Sequence, residues 1–168
     1  MRTSAVESLR SRIAGYEREI ERNCAFKPHL EETISYLRKE LQTLEVLTRE
    51  FEAFGLGFTV KHAERESWAT ILPDASYPGF FRWQEFGADG FISHSTHRTT
   101  ALCLEDLVKF GFATPDPGAL ERLCGTAQWR KGSEITAVIQ ASNSGLLSWE
   151  EANQRYQEIQ AAFDKEVA

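Results

Sequence analysis

The residues with the most chemical potential in this chain are the two histidines of His94-Ser95-Thr96-His97 and the cysteines Cys24, Cys103 and Cys124. Histidine titrates near neutral pH and serves as acid, base or metal ligand. The segment around His94 and His97 has strand character, and strand residues three apart point to opposite faces. The two imidazoles therefore do not readily share one metal ion. A zinc site needs further ligands, and Cys103 and Cys124 have no close partner spacing. Cys103 lies in an apolar helical stretch and reads as a small core residue. Cys24 sits near an expected bend, where a helix C-terminus disfavours the thiolate. The expectation is a protein with no metal and no cofactor.

Other catalytic patterns are missing. Gly55-Leu56-Gly57 lacks the third glycine, the lysine and the following helix of a phosphate-binding loop. Neither a nucleophile elbow nor a paired-histidine zinc helix occurs. His94 with Thr96 matches half of a His-x-Thr phosphoesterase pair, whose chemistry needs two histidines facing one phosphate. The second half is absent, since His62 is followed by Ala63-Glu64.

The elements that carry these residues form a small α+β body over residues 55–132. Phe58 to His62 and Ser67 to Leu72 read as short strands. Phe80 to Phe86 and Phe91 to Arg98 flank Gly87-Ala88-Asp89-Gly90, a tight hairpin turn. The result is three or four antiparallel strands. Thr99 or Thr100 caps a helix reaching Phe110, with Leu104, Leu107, Val108 and Phe110 on its buried side. Thr114-Pro115-Asp116-Pro117 starts a short helix that Gly125 ends. Alternation puts Phe81 and Trp83 on one face of the hairpin, and Phe80, Arg82, Gln84 and Phe86 on the other. One face packs on the Leu104–Phe110 helix. The other needs cover from the N-terminal helices, the C-terminal helices or a partner.

Tryptophan, tyrosine and arginine commonly anchor interfaces. Phe81, Arg82, Trp83, His94 and His97 are therefore candidate partner-binding residues. The stretch Gln128-Trp129-Arg130-Lys131-Gly132, read as a loop, adds Trp129, Arg130 and Lys131. The same aromatics and cations also suit single-stranded nucleic acid, which wants stacking platforms in a positive groove. Glu85 and Asp89 interrupt the positive charge, which favours protein over nucleic acid.

On either side lie helices. Residues 1–54 carry an apolar seam, Val6, Leu9, Ile13, Tyr16, Ile20, then Leu30, Ile34, Leu37, Leu41, Leu44 and Phe51, in steps of three and four. Asn23 and Lys27 fall on the seam and Pro28 follows. Proline is costly inside a helix and cheap in its first turn, so a helical hairpin is expected over a continuous rod. The longer arm leaves part of its seam to pack on the next segment or on a second chain. Leu37, Leu41, Leu44 and Phe51 are the candidate self-association residues of a homodimer through 1–54. Residues 133–168 read as a C-terminal helical hairpin. Ser133 caps its first helix and a Ser148-Glu151 capping box starts its second. Trp149, Ala152, Tyr156, Ile159 and Phe163 share one face of that second helix.

The totals agree with such a protein. Its 168 residues are 42% hydrophobic and 11% aromatic, too apolar for a disordered chain. No apolar run spans a membrane, and no secretory signal is evident. Three widely spaced cysteines fit reduced thiols, hence a cytoplasmic location. The net charge of -6 opposes general DNA binding. It is concentrated in residues 133–168, which hold 2 basic and 6 acidic side chains.

The expected function is a small non-enzymatic protein-interaction or regulatory factor. One version is an inhibitor carried by a phage or mobile element and directed at a host defence complex. The alternatives are a nucleic-acid-binding accessory protein using the aromatic hairpin, and a hydrolase dependent on His94 or His97.

Overall fold

A computed structural model describes residues 5–22 and 24–166. Asn23 of the seam and the side chain of Cys24 lie outside the described residues. Helix α1 (Ala5–Arg22) leads through a short 3-10 turn (Cys24–Phe26) into α2 (Lys27–Phe54), with Pro28 in its first turn. Arg10 Nη2 lies 2.6 Å from Glu45 Oε1, and Arg38 Nη2 lies 2.6 Å from Glu17 Oε1. The chain therefore doubles back as an antiparallel hairpin. Both pairs are exposed and contribute little. The apolar seam holds the helices together, with Leu9, Ile13, Ile34, Leu37, Leu44 and Leu47 buried.

Five strands follow in one antiparallel sheet of order β4-β3-β2-β1-β5. They are β1 (Thr59–His62), β2 (Trp68–Pro73), β3 (Phe81–Gly87), β4 (Gly90–His97) and β5 (Phe112–Pro115). The sequence suggested three or four. The fifth, β5, has only four residues and contains Pro115, so it shows no period of its own. It is a strand because β1 supplies its partners, with Val60 opposite Pro115, and its edge position tolerates the proline.

Helix α3 (Thr100–Lys109) is capped by Thr99, whose hydroxyl accepts the Leu102 amide at 3.2 Å. Cys103, Leu104 and Leu107 are buried, whereas Phe110 lies beyond the helix end and is exposed. Then come α4 (Ala119–Cys124), α5 (Ala127–Asn143) and α6 (Trp149–Glu166). Ser148 and Glu151 exchange the two capping-box hydrogen bonds, at 2.8 and 3.2 Å.

Each face of the sheet builds its own core. Phe58, Val60, Ala69, Ile71, Trp83 and Phe112 join the seam of α1 and α2 and the inner side of α3. Trp68 and Phe86 join Ala119 and Trp129. The α1–α2 hairpin and α3 thus cover the Trp83 face, while α4 and the start of α5 cover the Phe86 face.

Helix α5 starts six residues before the Ser133 cap expected from the sequence. Its N-cap is Thr126, whose hydroxyl accepts the Trp129 amide at 3.1 Å. The expected loop Gln128–Gly132 is therefore helix. Gly132 sits inside it, against helix propensity, because the helix crosses the β3–β4 turn there. A Cβ on Gly132 would lie 1.8 Å from the Asp89 carbonyl oxygen. Among the described residues, no helix is long and apolar enough to cross a membrane.

Candidate functional site

Strand alternation and the α3 cap bring a serine, a histidine and a carboxylate together. Ser95 and His97 share one face of β4, and Asp106 comes from the second turn of α3. His97 Nε2 lies 3.0 Å from Asp106 Oδ2 and 3.1 Å from Ser95 Oγ. The Trp83 indole N–H donates to the same Asp106 oxygen at 2.8 Å. These are the residue types of a nucleophilic relay, but the wiring differs. A relay puts the serine on one ring nitrogen and the carboxylate on the other. Here both address Nε2. A carboxylate only accepts, so Nε2 carries the proton that Asp106 receives. It has no lone pair left to take a proton from Ser95. The cluster acts as a clamp that joins β3, β4 and α3 through the buried indole.

The sequence pointed to His97 but missed Asp106. Ser95 could have been found from its two-residue spacing. Asp106 could not, because the meeting depends on how α3 folds back on the sheet. His94 takes the other face of β4, is exposed, and stands opposite Gln84. The structure does not bring the two histidines together.

Two other carboxylates of the body are also engaged. Asp116 accepts the Trp68 indole N–H at 2.7 Å and two bonds from Arg122 at 2.8 and 2.9 Å. Burial opposes its charge. The hydrogen bonds of Arg122 and Trp68 outweigh that and hold the carboxyl below its ordinary range. Asp74 accepts the Thr96 hydroxyl at 2.6 Å and the amides of Ser76 and Tyr77 at 2.8 and 2.9 Å. The Thr96 bond, above all, lowers its pKa. Burial pushes the Cys103 thiol up to about 12, and Asp106 adds to the rise. Among the described residues, no group of three or more histidines, cysteines and acids is placed to hold a metal.

A cleft of about 410 Å³ lies between α2 and the β1 end of the sheet, lined by Tyr36, Lys39, Thr43, His62 and Phe112 among others. His62 Nδ1 accepts the amides of Glu64 and Arg65 at 3.0 and 3.1 Å. The ring packs edge-on against Phe112. This imidazole shapes the turn after β1.

The candidate binding residues are mostly used within the chain. Trp83 is only 3% exposed, and Trp129 is buried beside Phe86 and Phe91. Neither is an outward anchor. The physical reason is that each sheet face already has a helix laid over it. Phe81 packs half-buried on the main core. Arg82 is half-buried, on the same side as the Asp74 carboxylate that it helps hold charged. Arg130 pairs with Glu166 at 2.5 Å, and Lys131 Nζ sits 4.3 Å from the Phe163 ring centre. The seam residues Leu37 and Leu44 are buried and Leu41 and Phe51 partly so, all in the core shared with α1, α3 and the sheet. Within the chain, α1, α3 and the sheet pack against these residues.

The open apolar surface lies elsewhere, on the α5–α6 hairpin. A groove of about 320 Å³ runs between the two helices, lined by Ile135, Val138, Ile139, Trp149, Ala152 and Tyr156 with three polar neighbours. Trp149 is 76% exposed, Ile139 53% and the nearby turn residue Leu146 79%. Of the apolar face read on α6, Ala152 alone is buried. The spacing of Trp149, Ala152 and Tyr156 signalled an apolar face, but not that it stays uncovered. Compared with protein-family models, curated proteins and solved structures, the chain matches none of them.

Proposed function

We propose that this protein is a non-enzymatic interaction factor whose recognition surface is the open face of the α5–α6 hairpin. The observation that carries this reading is the exposure of Trp149 and Ile139 on one groove, with exposed Leu146 in the turn that joins its two helices. Burying a side chain of this size is worth about 1.5–3 kcal/mol. Clustered exposed apolar side chains of this kind mark interaction sites. Tryptophan is also the residue that most often dominates binding energy. The hairpin is attached to the body through the start of α5, while α6 packs chiefly on α5. It is thus joined to the body chiefly through α5.

The chemistry-bearing side chains support the same reading. Ser95, His97 and Asp106 are wired as a clamp, and His62 is held by backbone amides. The cations that a nucleic-acid groove would use are partly engaged, Arg130 by Glu166 and Lys131 by Phe163.

The test is quantitative cross-linking in the native cell with three forms: wild type, Trp149→Ser with Leu146→Ser, and His97→Ala. The hairpin double variant is expected to lose the cross-linked partners that wild type and His97→Ala retain. An unchanged partner set in the double variant would overturn the reading.

A further inference from the structure

The two edges of the sheet differ. At one edge, β5 has four residues and carries Pro115, and α2 packs against it. At the other, β4 has eight residues and contains no proline and no Lys, Arg, Asp or Glu. Short length, proline and charge are the usual devices that stop an edge from accepting another strand, and β4 lacks all three. Ile92 falls between the partners of Phe86 and Glu85 as an extra residue. This bulge shortens the regular ladder to Ser93–His97 without closing it. The backbone groups that face outward there follow from the hydrogen bonds deeper in the sheet. The Ile71 amide donates to the Phe58 carbonyl at 3.2 Å and the Ile71 carbonyl accepts the Gly57 amide at 2.8 Å, so Ile71 turns toward β1. Alternation turns its neighbour Thr70, and with it the opposing Gln84, into the β2–β3 ladder. Trp83 and Glu85 then turn toward β4, where Ser95 and Ser93 oppose them. His94 and Thr96 are left with their N–H and C=O groups pointing away from the sheet. Among the described residues, neither makes a backbone hydrogen bond with another segment.

We infer that β4 pairs antiparallel with β4 of a second copy of this chain, across a two-fold axis at Ser95. That register sets His94 against Thr96 of the second copy, and Thr96 against His94, which makes four main-chain hydrogen bonds. Centring on His94 would call on the bulged Ile92. Centring on Thr96 would call on Arg98, where the strand has given way to a bend. The Ser95 register therefore pairs every outward group of Ser93–His97. The side chains agree with it. Ser95 meets its own copy, and opposed Cα atoms at such a position come within about 4.5 Å, which suits a small residue. Ser93 meets His97 and Ile92 meets Arg98, so no like charges are opposed. A foreign strand would gain the same four bonds. Strand addition takes its specificity from pockets for alternate side chains, and neither the cleft beside His62 nor the α5–α6 groove reaches β4. The contact also closes at two copies. A pair joined through β4 exposes only the blunted β5 edges at its ends. The inference is independent of the α5–α6 reading.

The experiment is sedimentation velocity on the full chain, from micromolar to several hundred micromolar. Four main-chain bonds make a modest contact. The mass should therefore climb from the 19.1 kDa of one chain toward twice that as concentration rises. His94→Pro removes an outward N–H that β3 does not use, and an edge strand tolerates proline there. This variant should keep the wild-type melting temperature within a few degrees and stay monomeric throughout. A second measurement reads the register and does not depend on that variant folding. In a Cys24→Ser, Cys124→Ser background, Ser95→Cys should form a covalent dimer under mild oxidation at least tenfold faster than Ser93→Cys. Only position 95 meets its own copy within disulfide reach. A wild type that stays monomeric, with no covalent dimer from Ser95→Cys, would overturn the inference. So would a folded His94→Pro protein that dimerises like wild type, or equal cross-linking at positions 93 and 95, because either places the contact on another surface. Should His94→Pro unfold, the cross-linking contrast decides alone. A monomeric wild type whose cross-linked cellular partners are lost in His94→Pro would give the edge to a foreign strand and overturn the second copy. None of these outcomes touches the comparison of wild type with Trp149→Ser and Leu146→Ser, so the two proposals fail separately.

Discussion

Gly132→Ala sets two physical effects against each other. By helix propensity alone, alanine inside α5 should stabilise the protein by about 1 kcal/mol. The structure predicts the opposite. The new Cβ would sit 1.8 Å from the Asp89 carbonyl oxygen, 2.5 Å from its carbon and 2.8 Å from its Cα, all of them backbone atoms. No side chain can swing away, so α5 must retreat from the β3–β4 turn by roughly 1.5 Å in a tightly packed region. The turn has little room to yield, because Gly90 closes it at φ +103°. Overpacking of this kind costs about 1–3 kcal/mol. The retreat also pulls Trp129 from Phe86 and Phe91, whose ring centres lie 5.9 and 5.3 Å away. Each aromatic pair is worth about 0.5–1.5 kcal/mol. After subtracting the propensity gain, the expected loss is about 1–5 kcal/mol. That is a fall in melting temperature of roughly 2–20 °C for a chain of this size. Urea and thermal unfolding, followed by helical circular dichroism and tryptophan fluorescence, measure it. Gly15→Ala is the control, because nothing lies within 4 Å of its added Cβ in α1. It should gain about 1 kcal/mol. A Gly132→Ala protein as stable as wild type would refute the close crossing of α5 over the turn.

Three further outcomes follow from the clamps and the core. Asp106→Ala leaves the buried Trp83 indole N–H without its acceptor and should cost about 1–3 kcal/mol in urea unfolding; a change below 0.5 kcal/mol would mean the clamp is slack. The Cys103 thiol, pushed up to about 12, should resist alkylation at pH 8 until the chain unfolds, while exposed Cys124 reacts at once; mass spectrometry of pulse-labelled protein distinguishes them. Asp74 and Asp116 have folded pKa values below their ordinary 3.8. The stabilisation they give is complete above that value and is lost as pH falls through the folded values. The melting temperature should therefore drop in acid below about pH 4, and more steeply in wild type than in Asp74→Asn with Asp116→Asn.

Much of the secondary structure was legible because its causes are local. Pro28 belongs in a first turn, and the chain bends just before it. Thr99 and Ser148 cap helices with hydroxyls that reach amides three residues on. The Gly87–Gly90 turn joins two strands whose alternation sends Trp83 and Phe86 to opposite faces. What failed was what no local pattern encodes. Residues 112–115 became a strand only beside β1. The stretch Gln128–Gly132 read as a loop, because the backbone that Gly132 must admit, at Asp89, is more than forty residues away. Ser95, His97 and Asp106 looked unrelated until α3 folded over β4.

The same division runs through the candidate site. Composition and periodicity already required several apolar faces, on the N-terminal seam, on both sides of the β3–β4 hairpin and along α6. An apolar side chain states only that water is unfavourable; it does not name the surface that replaces the water. That choice is made between segments far apart in the chain, by whichever shapes pack without clash. Helices α2 and α3 closed over Trp83, and α4 with the start of α5 closed over Phe86 and Trp129. The face bearing Trp149 stays open because none of the described segments packs across it.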